Sequence, residues 1–121
     1  MSNLALIACR QMLFLEVPEA AELIGKIGER TWRYYESGKR PIPERVMENL
    51  HNILECRMLI LERMEREADE YRELGKGRQP VPFFLDFEDY KRETGLGDFL
   101  GFRLDQSVKA TLLLRDKVVF Y

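Results

Sequence analysis

The stretch from Val17 to Ile42 restricts the fold more than any other part of this chain. Pro18 suits the first turn of a helix, where its missing N–H is not needed, and Glu19 complements the helix dipole there. Ala20, Ala21, Leu23 and Ile24 continue that helix, and Gly25 stands where a helix end is expected. Gly28 can then cap a further helix over Glu29 to Ser37, which Gly38 closes. Two short helices joined this tightly must touch. Contact requires a small residue at the crossing (Ala21), a glycine opening the turn (Gly25), and apolar residues locking the second helix onto the first (Ile27, Trp32 and Tyr35). The face left over is polar: Glu29, Arg30, Arg33 and Tyr34. These are the requirements of a helix-turn-helix, whose second helix enters the major groove of DNA and reads base edges. Trp32 and Tyr35 sit at helical spacing beside Ile27, so they read as core rather than as base-stacking aromatics.

The remaining sequence is arranged around this unit. Leu4, Ile7, Ala8, Met12 and Leu15 give a first helix an apolar stripe. Lys39-Arg40-Pro41-Ile42-Pro43 is a stiff, basic turn. From Pro43 to about Leu74, Met47, Leu50, Leu54, Arg57, Leu61, Met64, Ala68 and Tyr71 recur at alternating steps of three and four. That spacing predicts a long helix with a heptad seam, one edge packing on the first three helices and the rest open to a partner chain. Gly75 to Pro80 reads as a hinge. Beyond it, Val81, Phe83 and Leu85 alternate like a strand, Asp86 caps a helical turn, and Gly95 to Gly101 reads as a loop. Leu104 to Leu112 suits a short helix and Val118 to Tyr121 a closing strand. The chain therefore reads as mainly α, with residues 1–75 forming one domain that includes the long helix, and residues 80–121 a small α+β region.

The formal net charge of −2 does not suggest a nucleic-acid partner, but the local balance does. Lys26 to Arg45 carries a net +3, and Val46 to Glu73 a net −4, so a basic patch lies beside an acidic helix. Cys9 and Cys56 are isolated and sit in apolar helical surroundings, which predicts reduced thiols in the core. With no leader-like start and no apolar run of membrane-spanning length, the expected compartment is the cytoplasm. His51 has no partner at metal-ligand spacing, so no metal is expected. Gly95-Leu96-Gly97 lacks the spacing of a dinucleotide fingerprint, and no cofactor is expected. No nucleophile stands beside a base, so the chain is not expected to be an enzyme and has no catalytic residues.

Val17 to Ile42 resembles the helix-turn-helix of phage repressors of the Cro and C1 type. Their reading helix ends with an aromatic or leucine, then Glu, any residue, Gly and a basic residue, here Tyr35-Glu36-Ser37-Gly38-Lys39. The resemblance implies a lambda-repressor-like bundle that binds as a dimer. It places Glu29, Arg30 and Tyr34 at base edges, and Arg10, Lys39 and Arg40 near phosphates. Ala20-Ala21-Glu22, Ile24-Gly25, Arg30-Thr31-Trp32, Tyr34 to Gly38 and Gly101 to Val108 also resemble the anti-CRISPR-associated repressors and related bacterial helix-turn-helix proteins. That likeness implies a repressor of its own operon with a C-terminal dimerisation region, where Phe83, Phe84, Phe99, Phe102, Val108 and Phe120 would form the interface. The sequence departs from the family pattern at Glu29, an acid in the reading face, which affects the operator rather than the mode of binding. The expected partners are therefore double-stranded DNA with an inverted repeat and a second copy of the chain. The alternative is an antitoxin-like module whose main partner is another protein.

Overall fold

The computed structural model describes residues 1–121. The protein is mainly α, with six helices and two short strands in the order α1 (Asn3–Met12), α2 (Val17–Ala20), α3 (Glu29–Glu36), α4 (Glu44–Tyr71), β1 (Gln79–Val81), α5 (Phe87–Thr94), α6 (Phe99–Leu114) and β2 (Val118–Phe120). It divides into two compact units, Met1–Cys56 and Arg57–Tyr121. The division falls inside α4 and not at the glycine-rich stretch near residue 75. The reason is that Leu61 and Ala68 of α4 pack into a core with Val108 and Leu112 of α6 and Val118 of β2.

In the first unit, Leu6, Leu13, Leu15, Ala20, Ala21, Ile24, Trp32, Val46 and Leu50 are buried. The apolar stripe expected for α1 is out of phase with its buried face. Leu4 is 71% exposed and Met12 43% exposed, whereas Leu6 and Leu13 are fully buried. The inward positions of α1 also include two polar residues, Asn3 and Arg10, which bond to Glu36 of α3. Inward polar residues hide a buried face from a pattern of apolar spacing. The helix begins at Ser2, whose hydroxyl accepts from the Ala5 N–H at 3.1 Å.

In the second unit, β1 and β2 pair in parallel, with Gln79 opposite Val118 and Val81 opposite Phe120. Parallel pairing requires a long crossover, which α5 and α6 provide. Gln79 and Phe83 donate to Lys117 and Tyr121 carbonyls, and Tyr121 donates to Val81. Residues 79, 81 and 83 therefore face β2, and the outward positions fall on Pro80 and Pro82, which have no N–H to offer another strand. The strand is shorter than the Val81–Phe83–Leu85 alternation suggests, and Leu85 is 82% exposed. α6 is a full helix of 16 residues rather than a short one after a glycine loop. Asp98 caps it by accepting from the Gly101 N–H at 3.0 Å, so Gly101 lies in the first turn.

The charged position in the seam of α4 has a clear role. Arg57 is buried, and its guanidinium donates to Ser107 Oγ at 2.8 Å and Thr111 Oγ1 at 2.6 Å on α6. Arg57, Leu61 and Ala68 of the seam are thus covered within the second unit itself. Burial, and then the charge of Arg115, hold Arg57 below the usual guanidinium pKa. Replacing Arg57 with alanine removes these bonds, a longer one to the Ser107 carbonyl and their packing, and is expected to lower stability by about 2–4 kcal/mol. Urea unfolding checks this through the shift in midpoint at constant slope.

Candidate functional site

The site is built on α2, the turn after it, and α3. Glu16 and Glu19 cap α2 reciprocally, with the Glu16 N–H donating to Glu19 Oε1 at 2.8 Å. From Ala21 to Gly25 the helix widens into a π-type turn, and the Ile27 N–H reaches back to the Ala21 carbonyl at 3.1 Å. Lys26, and not Gly25, carries the left-handed backbone of the turn, with φ of 53°. Gly25 is required for a different reason. A Cβ there would lie 2.7 Å from Ile27 Cγ1 and 3.0 Å from Trp32 Cε3, so only glycine lets α3 come this close. The first turns of α4 tie the end of α2 down, with Arg45 Nη1 donating to the Gly25 carbonyl at 2.7 Å and Asn49 Nδ2 to the Ile24 carbonyl at 3.1 Å.

Ala21, Gly25, Trp32 and Tyr35 are all buried and Ile27 is half-buried. Trp32 and Tyr35 meet edge to face at 6.4 Å. Trp32 also donates through Nε1 to Glu36 Oε2. The same carboxylate takes Arg10 Nε at 2.6 Å and Arg10 Nη2 at 3.1 Å, with the two side chains 14% and 13% exposed. Asn3 Nδ2 donates to the Glu36 carbonyl at 3.0 Å. Glu36 therefore fastens α3 to α1. Arg10, expected near a phosphate, is turned inward, with a third bond from Nη1 to the Leu15 carbonyl at 3.1 Å. Spacing alone did not bring out this lock. The available signal was the i,i+4 step from Trp32 to Glu36.

Glu29, Arg30 and Arg33 stand exposed on the outer face of α3, with Tyr34 half-buried at its edge. They fall into two pairs one turn apart. Arg33 Nη2 bonds Glu29 Oε1 at 2.7 Å, and Arg30 Nε donates to the Tyr34 hydroxyl at 2.9 Å. The basic turn folds back onto the same aromatic. Arg40 lies 4.6 Å and Lys39 5.6 Å from the Tyr34 ring centroid, and Arg30 lies at 5.8 Å. The Arg40 N–H donates to the Tyr34 carbonyl at 3.3 Å, and Gly38, at φ of 80°, makes the reversal possible. The structure thus gathers Arg30, Tyr34, Lys39 and Arg40 into one exposed cationic cluster.

Of the residues expected at a dimer contact, three lie in the core and three are half-buried. Val108 and Phe102 are 0% and 2% exposed. Phe84 is buried in a core with Tyr90 and Phe102, against which Phe99 packs. Phe83 stacks on Phe120 at 4.6 Å, and Phe120 packs on the core between α4 and α6. Phe84, Phe102 and Val108 thus fill the second unit from within, while Phe83, Phe99 and Phe120 stay half-buried at its surface. The residues left outside include Leu85, Leu114 and Tyr121, at 82%, 88% and 78% exposure. His51 lies exposed beside Glu55 at 3.0 Å, and no group of three or more His, Cys, Asp or Glu side chains converges as a metal site. No helix is long and apolar enough to cross a membrane.

Fold and site define a small, mainly helical protein in which one short helix, fastened from behind by Glu36, presents Arg30 beside the Lys39 and Arg40 of the turn that follows it. The chain belongs to the Aca2/YdiL-like family, whose sequence profile matches residues 1–120. It is 32% identical over 111 residues to the Aca2 repressor of Pectobacterium phage ZF40, covering 91% of this chain and 90% of that one. It is also 29% identical over 114 residues to the uncharacterized protein YdiL of Escherichia coli K12, covering 90% of each.

Proposed function

We propose that this protein is a transcriptional repressor that binds an inverted-repeat operator in double-stranded DNA as a homodimer and represses its own operon. The observation that carries the reading is the outer face of α3, where Arg30 projects beside Lys39 and Arg40. α2, the turn and α3 act as a helix-turn-helix of the lambda-repressor kind, and α3 enters the major groove. Arg30 reads a guanine through O6 and N7, Glu29 and Arg33 lie over neighbouring base pairs, and Lys39 and Arg40 neutralise phosphates. Arg10 is left out of the phosphate-contacting set because its guanidinium is turned inward, with three of its donors on Glu36 and the Leu15 carbonyl. The name of the phage relative supports repression as the outcome. Dimerisation through the second unit uses the half-buried Phe83, Phe99 and Phe120 with exposed residues such as Leu85, Leu114 and Tyr121, while Phe84, Phe102 and Val108 stay in the core.

Fluorescence anisotropy with the duplex upstream of the gene, across a salt series, tests this. Two phosphate contacts per subunit predict that log of the binding constant falls with log salt at a slope of about −3 to −4. The upstream duplex is expected to bind at least about 10³-fold more tightly than a scrambled one. Light scattering is expected to give twice the chain mass. A monomer with equal affinity for both duplexes would overturn the reading and favour a protein partner for the exposed apolar residues.

A further inference from the structure

We infer that Tyr34 is a positioning residue, which sets the base specificity of this face by aiming Arg30 rather than by touching a base itself. The inference rests on the DNA-reading role of α3 and names how that face discriminates. Arg30 is held through Nε, by a hydrogen bond of 2.9 Å to the Tyr34 hydroxyl. A bond at Nε leaves both terminal nitrogens of the guanidinium as an intact fork, the group that matches O6 and N7 of guanine. The holder is a neutral hydroxyl, so the cation is oriented without being neutralised.

Arg33, one turn further along α3, shows the contrast. It is held through a terminal nitrogen, at 2.7 Å from a carboxylate, so its fork is half used and its charge is paired. Two arginines on one helix face are thus prepared differently, and Arg30 is the one presented for bidentate recognition. Tyr34 is itself fixed. Its ring is half-buried, with Arg40 at 4.6 Å and Lys39 at 5.6 Å from the centroid. Its carbonyl accepts the Arg40 N–H at 3.3 Å. A ring anchored to the basic turn is a firm support for a flexible arginine, and holding that arginine in place before binding removes part of the cost of ordering it.

Tyr34→Phe tests this, since it deletes the hydroxyl and keeps the ring for Lys39 and Arg40. The probe is a duplex enriched by the wild-type protein from a randomised library, followed by single-pair substitutions along it. Arg30→Ala identifies the G·C pair at which discrimination disappears. At that pair Tyr34→Phe is expected to reduce discrimination about three- to tenfold, the worth of one hydrogen bond. At the other pairs and in the salt slope it is expected to change nothing, and added to Arg30→Ala it should have no further effect. Full discrimination in Tyr34→Phe would overturn the inference. An equal loss at every pair would do the same by making Tyr34 structural, and an undiminished loss in the Arg30→Ala background would make it a direct contact. If the wild-type protein enriches no duplex, DNA reading by α3 fails and the inference falls with it, an outcome distinct from those three.

Discussion

Arg30→Ala is expected to weaken binding to the preferred inverted repeat by about 2–6 kcal/mol, roughly 30-fold to 2 × 10⁴-fold, because in the proposed complex each half-site loses one bidentate pair worth about 1–3 kcal/mol. Binding to a scrambled duplex should change far less. Non-specific affinity comes from phosphates, and Lys39 and Arg40 remain beside Tyr34 to supply it. The fold should not suffer, since Arg30 is exposed and its one side-chain bond is to the exposed-edge Tyr34 hydroxyl. Anisotropy with both duplexes checks all three statements. Equal losses on the two duplexes would mean that Arg30 is only one more phosphate contact.

Glu36→Ala is expected to cost the first unit about 2–4 kcal/mol, somewhat below the range for removing one partner of a fully buried ion pair. The carboxylate is 13% exposed and accepts from Arg10 twice and from Trp32, which is fully buried. Without it the Arg10 charge is left unpaired in a largely dry site and the indole N–H loses its partner. This is a large share of the 5–15 kcal/mol that typically holds a domain together. Trp32 is the single tryptophan and lies inside the lock, so its fluorescence during urea unfolding reports on this unit directly. Arg10→Met should be milder, because it removes the charge together with its need for a partner. A loss below about 1 kcal/mol in Glu36→Ala would mark the pair as an ordinary surface salt bridge.

The helices of the first unit were legible because their signals are local. Pro18, the small Ala21, and Trp32 and Tyr35 at helical spacing each state a requirement met within a few residues. The role of Gly25 was legible only in part. Its glycine is needed, but for close approach of Ile27 and Trp32, while a lysine takes the left-handed position. The phase of α1 was lost because Asn3 and Arg10 occupy inward positions, and their partner lies 33 and 26 residues away. Arg57 is the same case in the second unit, since Ser107 and Thr111 are what make a buried arginine tolerable in the seam. Phe84, Phe102 and Val108 carried no mark to tell core from interface. Both environments want the same apolar side chains, and only the packing of α5 and α6 decides between them. On the outer face of α3, the exposure of Glu29, Arg30 and Arg33 was legible and their pairing was not. That Arg30 takes Tyr34 while Arg33 takes Glu29 is a matter of rotamers, which spacing permits but does not choose.

The claim that α3 is the surface that meets DNA is tested most directly by amide chemical-shift mapping of the intact protein, titrated with its preferred duplex. The account predicts the largest changes along Glu29 to Tyr34 and at Lys39 and Arg40, with the α5–α6 region little affected. Changes confined to the second unit, with the outer face of α3 silent, would contradict it.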